Sequence, residues 1–325
     1  MRKALRTRAR IAGCPLTKRE SLTSLEWQNL MGGICDGKCA PFLGAGACEG
    51  TLPLGSDIAQ EWADEHGFPF EERHDLARVA QFLAVMGGGG IFPKRMIRDR
   101  FARAGPPDFD GFDEPHAALA RLPLPLYITT NYDGFMYDAL DRAGKKPRRE
   151  LCRWQRGAAY DAVPPVLDGT FVPEPATPVV FHLHGHLDVP ESLVLTEDDY
   201  LDFLVAVSRA EMMLLPHEVQ RAAATSLLFV GYSLADWDFR VVLRGILSRL
   251  QKSEKGLNVT VQLPRDDPQQ EKYLEEYFRG LFEVKVFWGT AREFAQELRE
   301  HWEEFEPKCE SRASAQGGGA SVQRV

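Results

Sequence analysis

Four apolar runs, far apart in the chain, each break off at a glycine, asparagine or histidine, and this repeated ending constrains the fold most. They are Phe42-Leu43-Gly44-Ala45-Gly46-Ala47, Ile128-Thr129-Thr130-Asn131-Tyr132-Asp133, His182-Leu183-His184-Gly185 and Phe229-Val230-Gly231-Tyr232-Ser233-Leu234. Short continuous apolar stretches bounded by turn residues read as strands buried on both faces. The segments between them have a helical period. Strands that alternate with helices predict an α/β, doubly wound parallel sheet of Rossmann-like form. Ligands of such sheets lie outside the carboxyl ends of the strands, so four endings of this kind predict one shared crevice.

Composition bounds the rest. A chain of 325 residues with 44% hydrophobic side chains can bury a large core. A formal charge of −8 argues against a protein whose main work is coating nucleic acid. The basic runs, Arg2 to Arg10 and Lys145-Lys146-Pro147-Arg148-Arg149, read as a terminal tail and a solvated loop. Cys14, Cys35, Cys39, Cys48, Cys152 and Cys309 follow no secreted framework and read as reduced thiols. A closed zinc site needs four ligands; Cys35, Cys39 and Cys48 have no second pair and read as small buried residues. The basic N-terminus precedes no apolar signal core, and no stretch reaches the roughly 20 apolar residues of a membrane span. A cytoplasmic chain with no membrane segment is expected.

Residues 1–20 and 306–325 read as disordered tails around one domain spanning 21–305. Within it, Ser56 to His66 predicts a helix capped by Ser56, Arg73 to Met86 a second and Lys94 to Ala104 a third. Residues 56–111 hold no convincing strand and read as a helical insertion, with Gly87 to Gly90 as a stop and hinge. Helices are also expected at 115–122, 134–143, 198–217, 237–250, 268–280 and 291–305. Strands are expected at 126–130, 179–183, 226–230, 259–263 and 284–288. The stretch from Arg153 to Pro178 is Pro-rich and irregular.

Each ending offers chemistry beside a plainer alternative. Gly44-Ala45-Gly46 lets a pyrophosphate approach the backbone at a helix start, or is a simple tight turn. It lacks the third glycine and the acidic partner of a dehydrogenase fingerprint, which disfavours hydride transfer. Asn131 can hold a ribose hydroxyl or a water, and Asp133 can accept from a carboxamide or cap the next helix. His182, His184 and His186 alternate, so three readings stand: a catalytic or ribose-contacting His184, a metal site with Asp188, or core histidines. Ser233 suits a phosphate or ribose, and Asp236 suits a helix cap. There is no Walker loop, nucleophile elbow or glycosidase carboxylate pair.

In this order the motifs resemble the sirtuin-like superfamily, specifically its bacterial NAD-hydrolase branch, over roughly Ala40 to Leu298. Pro115-His116 through Leu122-Pro123, Leu183-His184-Gly185 and Gly231-Tyr232-Ser233-Leu234-Ala235-Asp236 complete the likeness. The resemblance implies that Gly44, Ala45 and Gly46 cradle the NAD pyrophosphate and that Asn131 lies against the nicotinamide ribose. It further implies that Asp133 contacts the carboxamide, that His184 is the catalytic group, and that Gly231 and Ser233 hold the adenosine side. No cysteine lies between His184 and Gly231, where deacylases of the superfamily carry a four-cysteine zinc ribbon. Leu52-Pro53-Leu54-Gly55 replaces their Pro-x-Phe-Arg element, and Thr130 replaces their glutamine. These departures favour NAD cleavage by water, with NAD as substrate and no metal required.

The same resemblance implies an NAD-depleting effector of antiphage defence. It would work as a homo-oligomer or with a separate sensor, a HerA-type helicase-like ATPase or an Argonaute-like protein, without touching nucleic acid itself. The Met-rich stretch Glu211-Met212-Met213-Leu214-Leu215 and the helical insertion are candidate contact surfaces. The alternatives are a non-catalytic NAD or ADP-ribose sensor, a metal-dependent hydrolase built on His182, His184 and Asp188, and a protein deacylase.

Overall fold

A computed structural model of the chain describes residues 22–155, 157, 160, 162–208, 216–223, 225–232 and 256–317. Its centre is a seven-stranded sheet: β1 (Ala40–Leu43), β2 (Leu126–Thr129), β3 (Arg148–Leu151), β4 (Val179–His182), β5 (Leu227–Val230), β6 (Asn258–Gln262) and β7 (Val284–Trp288). The order is β3-β4-β2-β1-β5-β6-β7, and every pairing is parallel. The chain lays β2, β3 and β4 on one side of β1, with β4 between β2 and the edge strand β3, and β5, β6 and β7 outward on the other, the doubly wound α/β architecture. The order reverses where β1 meets β5, the kind of switch point at which such sheets open a ligand crevice.

Side chains on successive strand residues point to opposite faces, and the core divides accordingly. Phe42, Ile128, Phe181 and Phe229 pack on one face with Phe203, Val219 and Phe278. Tyr127, Val180 and Leu228 pack on the other with Leu30, Ile34, Leu140, Phe294 and Trp302. The first face is covered by α7 (Glu197–Ser208), α8 (His217–Ala223) and α9 (Pro268–Phe282). The second is covered by α1 (Ser24–Cys35), α5 (Pro115–Ala120), α6 (Phe135–Arg142) and α10 (Ala291–Gly317). With both faces covered, the central strands carry no polar alternation, which is why they read as unbroken apolar runs.

A third cluster sits over the carboxyl ends of the strands. It joins α2 (Gly55–Glu65), α3 (Leu76–Met86) and α4 (Ile91–Phe101) through Ile58, Trp62, Val79, Leu83 and Ile97, with Leu193 and Leu195 beneath. A buried ion pair fastens this layer. Lys94 Nζ lies 2.7 Å from Asp199 Oδ1, with side-chain exposures of 6% and 14%, while Asp199 Oδ2 also accepts from the Leu195 and Thr196 amides. Removing one partner of such a pair leaves the other buried and unpaired. Lys94→Ala is expected to lose about 3–5 kcal/mol of stability. A urea midpoint unchanged from wild type would refute that assignment.

Several elements depart from expectation. Ser56 lies inside α2, whose N-cap is Leu54, and α3 begins after Asp75, which accepts from the Arg78 amide. The helix α1 was not expected, although Thr23-Ser24-Leu25-Glu26 carries its signature: Thr23 Oγ1 accepts from the Glu26 amide while Glu26 accepts from that of Thr23. The basic run ending at Arg149 is not a solvated loop throughout. Its end enters β3, an edge strand, where buried Glu150 accepts from the Val166 and Leu167 amides. The closing helix runs on through Pro307 to Gly317 instead of ending at Phe305. Cys309 explains part of that extension. It forms a disulfide with Cys35 at the end of α1, so Cys35 and Cys309 are not free thiols as expected. Residues 1–21, the Met-rich stretch 211–215, the expected helix at 237–250, and Ser233 and Asp236 lie outside the described residues.

Candidate functional site

The glycines after β1 and β5 bring two turns into direct contact. Gly231 has φ +83°, and a Cβ there would lie 2.2 Å from the Ala47 nitrogen; one on Gly44 would lie 2.7 Å from the Gly231 carbonyl oxygen. Only glycine fits either position. The amides of Gly44, Gly46 and Ala47 are taken up by the carbonyls of Val230, Gly231 and Gly44. So the close approach that Gly44 and Gly46 permit is to Gly231, and the turn meets the crevice at Ala45.

That crevice is a cavity of about 250 Å³ above the switch point, lined among others by Ala45, Asn131, Asp133, His184 and Gly231. Five of the sequence-derived candidates thus share one wall, while Gly44 and Gly46 stand behind it. The helical layer supplies the opposite wall through Ile58, Leu76, Ile97 and Phe101. Thr130 is held by Tyr232, their hydroxyls 2.7 Å apart, and the Tyr232 hydroxyl also reaches the Leu43 carbonyl. Tyr132, also in the lining, donates to the Val194 carbonyl at 2.6 Å. None of these three side chains was singled out from the sequence for a positioning role.

Asn131 is oriented through its own backbone and its amide. Its N–H donates to Thr129 Oγ1 at 2.9 Å, and its Nδ2 donates to the Gly44 carbonyl at 3.0 Å. The amide nitrogen is therefore engaged, and the amide oxygen is the group left to meet a hydroxyl or a water. Asp133 is buried; Oδ1 accepts from the Phe135 amide at 3.0 Å, and Oδ2 from the Cys48 thiol at 3.4 Å. It serves the start of α6 and the cavity wall at once.

The three histidines part company. The strand β4 ends at His182, and Gly185 takes φ +86° with Ser192 so close that any Cβ would clash at 2.3 Å. His184 lines the cavity with its ring edge-on to Tyr200 and Phe203, and its Nε2 is buried without a partner among the described residues. His182 and His186 instead face each other, ring centroids 4.8 Å apart. His182 Nδ1 contacts the Asn131 carbonyl, and His186 Nδ1 accepts from the Asp188 amide. Donor atoms of His182, His184 and Asp188 do not converge, which corrects the metal-hydrolase reading of that trio. Among the described residues one metal-ligating group does converge, Cys48, His116 and Asp133.

Burial sets the protonation states. Desolvation pushes the His184 pKa down to about 3, so the ring is neutral at physiological pH. The free-residue value near 6.5 expected from the sequence does not apply to this buried ring. Burial, reinforced by the Asp133 carboxylate, raises the Cys48 thiol well above its ordinary range.

Residues 125–280 match the SIR2-like domain family. The chain is 27% identical over 221 residues to "NAD(+) hydrolase ThsA" of Cytobacillus dafuensis, covering 67% of this chain and 40% of that protein. It is 26% identical over 228 residues to the protein of the same name from Bacillus cereus (strain MSX-D12), covering 68% and 42%. The chain thus spans about two fifths of the length of these curated relatives. A chain solved in work on the mechanism and regulation of Sir2 enzymes aligns with TM-score 0.38 at 11% identity, over 87% of this chain and 100% of that one. Over the matched segment 125–280, which runs from β2 to α9 and makes up just under half of the chain, this protein is similar to the SIR2-like domain family.

Proposed function

We propose that this chain hydrolyses NAD at the nicotinamide–ribose bond, giving nicotinamide and ADP-ribose. The observation that carries the reading is the single cavity that joins Ala45, Asn131, Asp133, His184 and Gly231 at the switch point. The names of the relatives that match two thirds of the chain support NAD as the substrate. Nicotinamide is a good leaving group, and the transition state is oxocarbenium-like, as in glycoside cleavage generally. The protein then has mainly to hold the ribose, grip the carboxamide and admit one water.

In this reading Asp133 accepts from the carboxamide N–H₂, and the Asn131 amide oxygen takes a ribose hydroxyl or the attacking water. His184 enters neutral, with Nε2 as a hydrogen-bond acceptor. A general base works best with a pKa near the operating pH, so a ring at about 3 acts as an orienting acceptor first. Gly44, Gly46 and Gly231 keep the two turns in contact, and Ser233 belongs to the adenosine side by motif match.

The test is a time course of NAD with the purified chain, read as nicotinamide by chromatography, in the presence and absence of a strong chelator. Release that survives chelation is expected. The kcat/KM profile should lack a His184 inflection between about pH 5 and 8, because the free enzyme holds that ring neutral throughout. NAD left intact by every assembly of the chain would overturn the reading in favour of a non-catalytic sensor. The defence role, the homo-oligomer and the HerA-type or Argonaute-like sensor partner are proposals that rest on the family resemblance. Light scattering coupled to the same assay tests them: a monomer turning over at full rate with no activator would exclude assembly-dependent control.

A further inference from the structure

Cys48, His116 and Asp133 come from the turn after β1, the first turn of α5 and the segment after β2, and all three are buried. Cys48 Sγ lies 3.4 Å from Asp133 Oδ2 and 3.9 Å from His116 Nε2, and one donor atom from each residue falls within 4.8 Å of the others. Tetrahedral zinc with bonds of about 2.0–2.3 Å holds such donors roughly 3.3–3.6 Å apart, so the Cys48–Asp133 separation already fits and the His116 donor has to move inward.

The histidine is already set for ligation. His116 Nδ1 lies 2.7 Å from Glu114 Oε1, and both side chains are almost wholly buried. Glu114 itself is fixed as the N-cap of α5, its other oxygen accepting from the Ala117 amide. With Nδ1–H given to the carboxylate, the Nε2 lone pair faces Cys48 and Asp133. Metal-ligating histidines are commonly oriented by such a carboxylate. The thiol has one proton for two acceptors, Asp133 Oδ2 and His116 Nε2, while Asn131 Nδ2 approaches Sγ at 3.3 Å. The pocket is rich in lone pairs and negative charge.

We propose that Cys48, His116 and Asp133 form a three-ligand site for zinc(II), open toward the cavity, whose occupation inhibits the chain. A thiolate, an imidazole and one carboxylate suit zinc, whereas magnesium and calcium prefer oxygen alone. Binding breaks the Cys48 S–H bond, forms Zn–S and releases one proton to solvent, with no redox change. Affinity therefore rises about tenfold per pH unit while the free thiol stays protonated. Cys48 and Asp133 both line the cavity, so the fourth position faces it. The ion would withdraw Asp133 from the carboxamide and fill that end of the cavity; this inhibitory clause rests on the NAD-hydrolase reading, and binding itself does not.

Cobalt(II), titrated into the full chain as a spectroscopic probe, should bind one per chain with a thiolate-to-metal absorption band and be displaced by zinc. Cys48→Ser should abolish the band, and Glu114→Gln should keep it but weaken binding about 10–100-fold. If Cys48→Ser fails to melt cooperatively, His116→Gln serves instead and should lose tight binding. No thiolate band in the wild-type chain, or a band unaltered in every folded variant, overturns the site. Zinc should suppress nicotinamide release, and Glu114→Gln should need more zinc for the same suppression. Stoichiometric zinc that leaves turnover unchanged overturns the inhibitory clause. A chain that never hydrolyses NAD still yields the cobalt spectrum, so failure of the activity and failure of the site are distinguishable.

Discussion

His184→Ala and Asn131→Ala should each lower nicotinamide release from NAD by about 10²–10⁴-fold, the usual cost of losing a group that positions or exchanges a proton at the reacting centre. His184 offers the cavity a buried nitrogen with no partner among the described residues, and Asn131 offers an amide whose nitrogen is already held by Gly44. Both losses should fall mainly on kcat, since the groups orient the ribose and water more than they hold the rest of NAD. His184 is packed against Tyr200 and Phe203, so His184→Gln, which preserves most of the volume, should accompany the alanine variant. Release is compared only for variants whose thermal melts match wild type. A folded His184→Gln or Asn131→Ala protein turning over at the wild-type rate would remove that residue from the mechanism. Asp133→Ala is less informative, because it also removes the acceptor for the Phe135 amide, a capping loss of about 1 kcal/mol.

Acid should unfold this protein steeply. Burial lowers His182 well below its ordinary pKa, aided by His186 and Arg149, and lowers His184 and His186 each to about 3, with Arg149 contributing at His186. The contact with the Asn131 carbonyl and the Asp188 charge oppose this at His182 without outweighing burial. In each case the unfolded chain binds the proton more tightly than the folded one. The stability associated with the neutral rings is therefore complete above the unfolded value of about 6.5 and is lost as pH falls toward the folded values. Each ring contributes a slope of about 1.4 kcal/mol per pH unit, so three approach about 4 kcal/mol per unit between about pH 6 and 4. Against a typical total of about 5–15 kcal/mol, unfolding by about pH 5 is the expected outcome. Urea midpoints across that range measure it, and His182→Gln should reduce the slope by about one third. A midpoint that does not move between about pH 7 and pH 5 would show that the rings are accessible to protons in the folded state.

The strand endings were legible because burial on both faces leaves an uninterrupted apolar run, and a glycine or polar residue must follow where the run meets the crevice. The chain itself thereby determined the parallel sheet, its helical partners and the residues at the carboxyl ends of β1, β2 and β5, together with the His184 segment after β4. The edge strand β3 was hidden because one neighbour is enough for an edge strand, and its charged residues resemble a loop until Glu150 is seen to cap the turn beyond it. The closing helix was cut short for a similar reason: the Gly-rich C-terminal end reads as a disordered tail, while the Cys35–Cys309 bond links residues 274 positions apart.

Only the tertiary structure decided what each side chain does. Alternation places His182, His184 and His186 on one face of an extended chain, but Gly185 turns the backbone and sends His184 to the cavity and its neighbours to Arg149. Gly44 and Gly46 prove to accommodate another backbone, that of Gly231, because the two turns must cross within contact distance. Cys48, His116 and Asp133 carry no mutual signal in sequence, His116 and Asp133 lying 68 and 85 positions from Cys48, and meet because two strand-end segments and the first turn of α5 converge. Periodicity and turn chemistry are local and can be read along the chain. Convergence, desolvation and the pKa shifts that follow from it depend on which segments the sheet order brings together, and that order exists only in the folded molecule.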